Sequence, residues 1–231
     1  MEPSKNLNGN QQKTMIKTLL FDMGGVICPM QDPGVPAARF KEIGLNEQLA
    51  AQYFGRNGQQ GIFRGAEDGS LSPDEFLDAY EQLTGYHATF DEIEWAWRGF
   101  IFPTTPDRLR ALEQLRREGY HVALASNTNP FLQRWEESAD FTPEGKGIQN
   151  YFDHLYYSYE LKAYKPDALF FHRILQQGGY RAEETLFLDD SPKNVEAARK
   201  VGLQAIYVPD NQSWVGPLRE ALEAENAATT I

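Results

Sequence analysis

Asp22, Ser126, Asn127, Lys165, Asp189 and Asp190 are the residues of this 231-residue chain whose types and settings could do chemistry. Asp22 ends the apolar run IKTLLFD (16–22). Ser126 and Asn127 stand where HVALAS (121–126) gives way to NTN, and Asp189 and Asp190 close TLFLDD (185–190). Lys165 comes after a weaker run, HLYYS (154–158), in the stretch LKAYKPD. Three carboxylates held together raise one another's pKa unless a cation neutralises them. Hard oxygen donors in small number favour Mg²⁺, which keeps several waters and shares phosphate oxygens. A metal site is therefore the economical reading of Asp22 with Asp190. Taken singly, each residue has an ordinary explanation: a strand-terminal Asp is often a turn or cap residue, Ser126 could only cap, and Lys165 could be a solvated charge. Their joint arrival at four strand ends is what favours a site.

The elements that must bring them together are legible. Besides the four runs above, QAIYVP (204–209) reads as a fifth strand. Four of the five are nearly continuous apolar runs, as in a parallel sheet covered on both faces. Helical patterns alternate with them: 106–119 with Leu109, Leu112 and Leu115 on one face, 166–179 opening at Pro166 and closing at Gly178, and 191–202 with Ser191 as N-cap and Pro192 behind it. The class is α/β with a doubly wound parallel sheet, and such sheets bind ligands at the carboxyl edge of the strands. Gly24 and Gly25, just past Asp22, let the backbone turn close beside that acid.

The alternation breaks over about 31–102, which carries helical, aromatic-rich patterns such as FLDAYEQLTGY and DEIEWAWRGFIF. This segment reads as a helical insertion over the carboxyl edge, moving as a lid, with 15–30 and 103–222 as the core. Within it, DGSLSPDEF (68–76) imitates the second half of a calcium loop, but Arg64 and Ala66 would occupy that loop's first and third positions, which need oxygen ligands. A capping box of Ser72, Pro73 and Glu75 explains the stretch better. The polar leader 1–14 and the tail 223–231 read as disordered.

The formal charge of −11 argues against a broad nucleic-acid or anionic-membrane surface. Cys28 is the single cysteine, so no intramolecular disulfide can form, and it reads as a small apolar filler. No apolar run reaches the length of a membrane span and no signal core opens the chain, so a cytoplasmic protein, monomer or homodimer, is expected.

FDMGGVI, LASNTN, KAYKPD and LFLDDSPKNVEAARKVG resemble, in order and separation, the four motifs of the haloacid dehalogenase superfamily. The resemblance spans about 16–210 and puts the insertion where that family carries an α-helical cap. It implies a Rossmann-like core with strand order 5-4-1-2-3. It also implies Asp22 as a nucleophile that forms an aspartyl-phosphate, and Lys165 as the cation that holds nucleophile and phosphate together despite their like charge. Ser126, the Asn127 backbone N–H and Gly25 would clamp phosphate. Mg²⁺ would be held by Asp22, the Gly24 carbonyl and Asp190, with Asp189 and Asn194 holding its waters. Lys165 directly precedes a proline, as in the family pattern, which leaves Lys162 peripheral.

Position 24 departs from that pattern, because most phosphatases of the superfamily have Asp there to protonate the leaving alcohol and then activate water. Three readings follow. The preferred one is a Mg²⁺-dependent phosphatase of a small phosphorylated metabolite, such as a sugar phosphate whose anomeric oxygen leaves readily. The chain is similar to a subgroup that takes in glucose-1-phosphatase and the phosphatase-like N-terminal domain of epoxide hydrolase. The second is a 2-haloacid dehalogenase, disfavoured because Asp189 and Asp190 without a metal would repel an anionic substrate. The third is a non-catalytic sensor of phosphorylated metabolites. Specificity is expected from the insertion, with Tyr53, Phe54, Arg64 and Trp97 as candidates facing the site.

Overall fold

The apolar run after Lys17 forms β1 (Thr18–Phe21), the middle strand of a five-stranded, fully parallel sheet. With β2 (His121–Ser126), β3 (His154–Tyr157), β4 (Thr185–Asp189) and β5 (Gln204–Tyr207), the order is β3-β2-β1-β4-β5. Read from the other edge, this is the expected order 5-4-1-2-3. The structure is a computed structural model that describes residues 15–53, 60–209 and 211–229.

Both faces of the sheet are covered, which is why its strands lack polar alternation. Leu19 and Phe21 of β1 point into one apolar cluster with Leu112, Leu124, Leu188 and Trp214. Leu20 points into a second, with Ala123, Phe170, Phe171 and Ile174.

Among the described residues six α-helices lie between β1 and β2: α1 (Gly34–Glu42), α2 (Glu47–Tyr53), α3 (Gly61–Asp68), α4 (Pro73–Thr84), α5 (Phe90–Trp97) and α6 (Pro106–Arg117). After β2 comes α7 (Pro130–Glu136), and after β3 come α8 (Ser158–Leu161) and α9 (Ala168–Gly178). Beyond them, α10 (Pro192–Lys200) joins β4 to β5, and α11 (Val215–Thr229) follows β5.

Two helix starts differ from the sequence reading. α9 begins at Ala168 and not at Pro166, because Asp167 is the N-cap and its side chain accepts the Leu169 N–H. Ser191 is the N-cap of α10, but its side chain makes no capping bond; its own N–H donates to Asp189 Oδ1 at 2.8 Å. The capping box at Ser72 and Glu75 is formed as read, with Pro73 at the first helical position. No metal-competent cluster of acids occurs there among the described residues.

The helices α1–α5 close their own aromatic cluster and dock it onto the sheet layer. Phe40, Phe63 and Phe76, with Tyr80 packed against all three, surround Trp97, whose indole stacks on Phe131 of α7 with centroids 5.7 Å apart and planes 8° apart. At the rim of that contact Arg134 of α7 pairs with Asp91 and Glu94 of α5, at 2.6 and 2.5 Å. The two crossings between insertion and core are bonded to each other: the Gln31 N–H donates to the Phe100 carbonyl at 2.9 Å and the Phe102 N–H to the Pro29 carbonyl at 2.7 Å.

Candidate active site

The parallel register places the candidate residues at one edge. Phe21 is level with Leu124 on one side and Leu188 on the other, so Asp22, Ser126 and Asp189 emerge together at the carboxyl end of the sheet. β1 is also where the chain's path across the sheet reverses, the place at which open α/β sheets form a ligand crevice. The Asp22 N–H donates to the Leu188 carbonyl at 2.9 Å, continuing the ladder one residue beyond β1.

Lys165 Nζ lies between two carboxylates, donating to Asp22 Oδ1 at 2.5 Å and to Asp189 Oδ2 at 2.9 Å. All three groups are buried. Burial pushes the Asp22 carboxyl up to about 6, opposed by the Lys165 charge and assisted by Asp189. Burial acts to lower Lys165, yet the attraction of Asp189 and Asp22 holds its ammonium above the ordinary lysine range. The lysine backbone is fixed as well: its N–H donates to Asn127 Oδ1 at 2.9 Å and its carbonyl accepts Asn127 Nδ2 at 3.1 Å. Asn127 thus positions Lys165 with its side chain, which leaves its backbone N–H as the group expected to meet phosphate.

Asp22, Asp189 and Asp190 bring carboxylate oxygens within 4.8 Å of one another. Asp189 is saturated, taking Lys165, the Ser191 N–H and the Asn194 amide at 2.9 and 3.1 Å. The two residues expected to hold metal-bound waters, Asp189 and Asn194, are therefore engaged with each other. An all-oxygen set at this spacing suits a hard divalent cation, and it includes both acids expected from the sequence to hold one, Asp22 and Asp190.

The backbone after Asp22 is a tight turn, with the Ile27 and Cys28 N–H groups donating to the Met23 carbonyl at 2.9 and 2.8 Å. Gly25 has φ +76, a conformation that favours glycine, and it lies directly against Asp190. A Cβ on Gly24 would meet the Met30 Sδ at 2.9 Å, in a flexible side chain, and the Ile101 Cγ2 at an ordinary 3.9 Å. Cys28 is buried in the core, as a small filler would be.

Beside Gly24 lies a cavity of about 130 Å³, walled by Ser126 and Asn127 from the core and by Trp97 and Glu67 from the insertion. Two buried glutamates line it. Tyr164 Oη donates to Glu67 Oε2 at 3.0 Å, and burial pushes that carboxyl up to about 8. Glu136, at the end of α7, is fully buried, and neither of its oxygens has a hydrogen-bond partner among the described residues. Burial, with the nearby Glu137 and Asp22 charges, pushes it up to about 8 too. Both groups are therefore predominantly neutral at pH 7.

The insertion candidates divide. Trp97 lines the cavity. Arg64 does not: its guanidinium lies over the Tyr164 ring at 3.4 Å and pairs with Asp68 at 3.3 Å, one step behind Glu67. Tyr53 (for its side chain) and Phe54 lie outside the described residues. Lys162 is away from the carboxylates, its ammonium bonded to the Gly69 carbonyl of the insertion. Glu67 and Glu136 escaped the sequence reading, although both fall on apolar helix faces: Phe63 and Ala66 flank Glu67, while Leu132 and Trp135 flank Glu136. The pair Asn129–Pro130, a side-chain N-cap followed by proline, was the available signal for α7.

A sequence profile of haloacid dehalogenase-like hydrolases matches residues 16–202. The chain belongs to the haloacid dehalogenase-like hydrolases. D-ribitol-5-phosphate phosphatase of Bacteroides thetaiotaomicron is 36% identical to this hydrolase over 201 residues, covering 87% of its chain and 95% of the relative. The solved structure of a HAD-like family hydrolase from Porphyromonas gingivalis superposes with TM-score 0.83 at 29% identity, over 90% of this chain and 98% of that one. A HAD family enzyme from Bacteroides thetaiotaomicron, solved with magnesium and inorganic phosphate, superposes with TM-score 0.78 at 32% identity, over 88% of this hydrolase and 100% of that chain. No helix among the described residues of this hydrolase is long and apolar enough to cross a membrane.

Proposed function

We propose that this hydrolase is a Mg²⁺-dependent phosphatase of small phosphorylated metabolites of the sugar-phosphate kind, acting through an aspartyl-phosphate on Asp22. The observation that carries the reading is the Lys165 ammonium fixed between Asp22 and Asp189 at 2.5 and 2.9 Å, one residue from Asp190. That arrangement offers a nucleophilic carboxylate, a cation to offset its repulsion from phosphate, and an oxygen set for a metal. The kinship with a D-ribitol-5-phosphate phosphatase, and with an enzyme solved holding magnesium and phosphate, supports it.

In this reading Asp22 attacks phosphorus, a P–O bond forms to its carboxylate, and the ester P–O bond breaks, the leaving oxygen taking its proton from solvent water in place of the acid that position 24 lacks. Water then attacks the acyl-phosphate, releasing orthophosphate and restoring Asp22. Ser126 and the Asn127 backbone N–H orient the phosphoryl group, and Lys165 stabilises charge on its oxygens. Asp22, Asp190 and the Gly24 carbonyl would hold Mg²⁺, which when bound neutralises the crowding of carboxylate and phosphate. The insertion 31–102 serves as the cap that closes over the leaving group and keeps bulk water out.

The test is phosphate release from sugar phosphates, polyol phosphates and nucleotides, with Mg²⁺ and with EDTA, repeated with Asp22→Asn. Release that needs Mg²⁺ and disappears in Asp22→Asn is expected. Turnover surviving that substitution would sink the nucleophile assignment. Metal-independent chloride release from a 2-chloroacid would instead favour the dehalogenase reading, and saturable metabolite binding without any turnover the sensor.

A further inference from the structure

Glu136 presents a carboxyl group at an otherwise apolar helix face, fully buried, with neither oxygen hydrogen-bonded among the described residues. An unsatisfied buried polar group costs about 1–3 kcal/mol, so native proteins rarely keep one without a use for it. Three observations say what would satisfy it. It lines the 130 Å³ cavity that also contains Gly24, Ser126 and Asn127, so the space opens directly onto the proposed phosphate cradle. That volume is well above the ~10–15 Å³ that one water needs. Trp97 lines the same cavity, and its indole N–H is also buried without a partner among the described residues. The residues around the cavity thus include one with unmet acceptors, Glu136 of α7, and one with an unmet donor, Trp97 of α5, beside apolar groups such as Met23 and Leu132.

We propose that Glu136 and the Trp97 indole N–H bind hydroxyl groups of the leaving alcohol, so that the site selects polyol phosphates over phosphate esters of plain alcohols. The inference rests on the phosphatase reading and deepens it. A hydroxyl both donates and accepts, and a chain of them answers an indole N–H and a carboxyl together. A site that buries such groups rejects an analogue lacking the hydroxyls, because its own polar atoms then stay unpaired.

Three esters separate the possibilities: D-ribitol 5-phosphate, n-pentyl phosphate with the same carbon count and no hydroxyls, and p-nitrophenyl phosphate with a good leaving group. Glu136→Leu is expected to lower kcat/KM on the pentitol ester by about 10- to 100-fold. It should leave the other two within about twofold, the experimental meaning of no change at this scale. Glu136→Gln, which keeps one donor and one acceptor, should recover part of the loss, and Trp97→Phe should share the selectivity of the leucine variant. Equal loss on n-pentyl phosphate would overturn the proposal, since a group acting on the leaving oxygen or on the fold would affect both alkyl esters alike. No loss on the pentitol ester would overturn it as well.

Binding measured by calorimetry in the Asp22→Asn background keeps the test independent of turnover. There Glu136→Leu should weaken D-ribitol 5-phosphate by at least about tenfold and leave n-pentyl phosphate unchanged. Equal affinities for the two esters before and after the substitution would sink the idea. If the unsubstituted protein hydrolyses none of the esters while that difference in binding persists, the phosphatase reading has failed and hydroxyl recognition stands.

Discussion

Gly25 lies so tightly against Asp190 that a Cβ added to it would stand 2.7 Å from the Asp190 Cγ and nearer still to its Oδ2. The glycine that follows the proposed nucleophile by three residues therefore sets how closely β4 delivers its second acid. Gly25 also has φ +76, where an L-residue is strained by about 1–2 kcal/mol. Two independent costs meet at one position.

Gly25→Ala is expected to lower the melting temperature and to displace Asp190 from Asp22. A displacement near 1 Å in a reacting constellation costs up to about 100-fold in rate. Phosphate release should therefore fall by at least about tenfold, with a weaker apparent affinity for Mg²⁺. Gly24→Ala is the comparison, because its Cβ meets the Met30 Sδ and the Ile101 Cγ2 and not Asp190. Similar losses in the two variants would show that Asp190 is not what Gly25 governs.

Lys165 is the sole cation in direct contact with Asp22 and Asp189 among the described residues. Removing one member of a buried ion pair costs about 3–5 kcal/mol, because the partners are left charged and desolvated. Lys165→Met should be destabilised by that order at pH 7.5 and by less at pH 5, where protonation of Asp22, whose carboxyl is pushed up to about 6, relieves part of the uncompensated charge. Urea unfolding at the two pH values measures the difference. An equal loss at both would mean that packing of the lysine stem, and not its charge, dominates.

The sheet and the charged cluster were readable in the sequence for a common reason. β1, β2 and β4 are apolar through their middles because both faces are covered, and the polar residue each delivers stands at its end or one residue beyond, so strand and site signals coincide. The glutamates of the cavity were not, because each sits on a helix whose start and apolar face must be known before a carboxyl on that face looks unusual. Glu136 reads as a solvated charge within WEE until α7 is placed against Trp97. Arg64 shows the converse: a cation that looked directed at the ligand is stacked on Tyr164, a residue 100 positions away in a segment no local pattern couples to it.

Docking of the insertion onto α7 combines a buried ring stack with half-exposed ion pairs, and the two should differ in weight. Phe131 is fully buried between Trp97, Phe76 and Phe90, so Phe131→Ala should cost about 3–5 kcal/mol. Arg134 is 47% exposed in its pairs with Asp91 and Glu94, so Arg134→Ala should cost no more than about 1 kcal/mol. Thermal unfolding of both variants decides the point, and a larger effect of Arg134 would mean that the ion pairs, and not the aromatic face, hold the insertion down.

The two cavity glutamates make stability depend on pH in a direction opposite to ordinary carboxylates. Glu67 and Glu136 titrate near 8 in the folded protein against 4.5 when free, because burial disfavours their charged forms. Between those values the folded state holds a proton that the unfolded state has lost. Stability from each group is thus complete below about pH 4.5 and falls as pH rises toward about 8. The slope approaches about 1.4 kcal/mol per pH unit for each group. Glu136→Gln removes one of the two titrations, and Glu67→Gln the other. The test is the difference in unfolding free energy between variant and parent, measured with EDTA present from pH 5 to pH 8.5. Because Asp22 and the surface carboxylates titrate in both proteins, their contributions cancel in that difference. Glu136→Gln should gain on the parent steadily through neutral pH and level off above about pH 8. A difference that does not vary with pH would show that Glu136 is ionised in the folded state, and the neutral carboxyl assigned to the cavity would have to be given up.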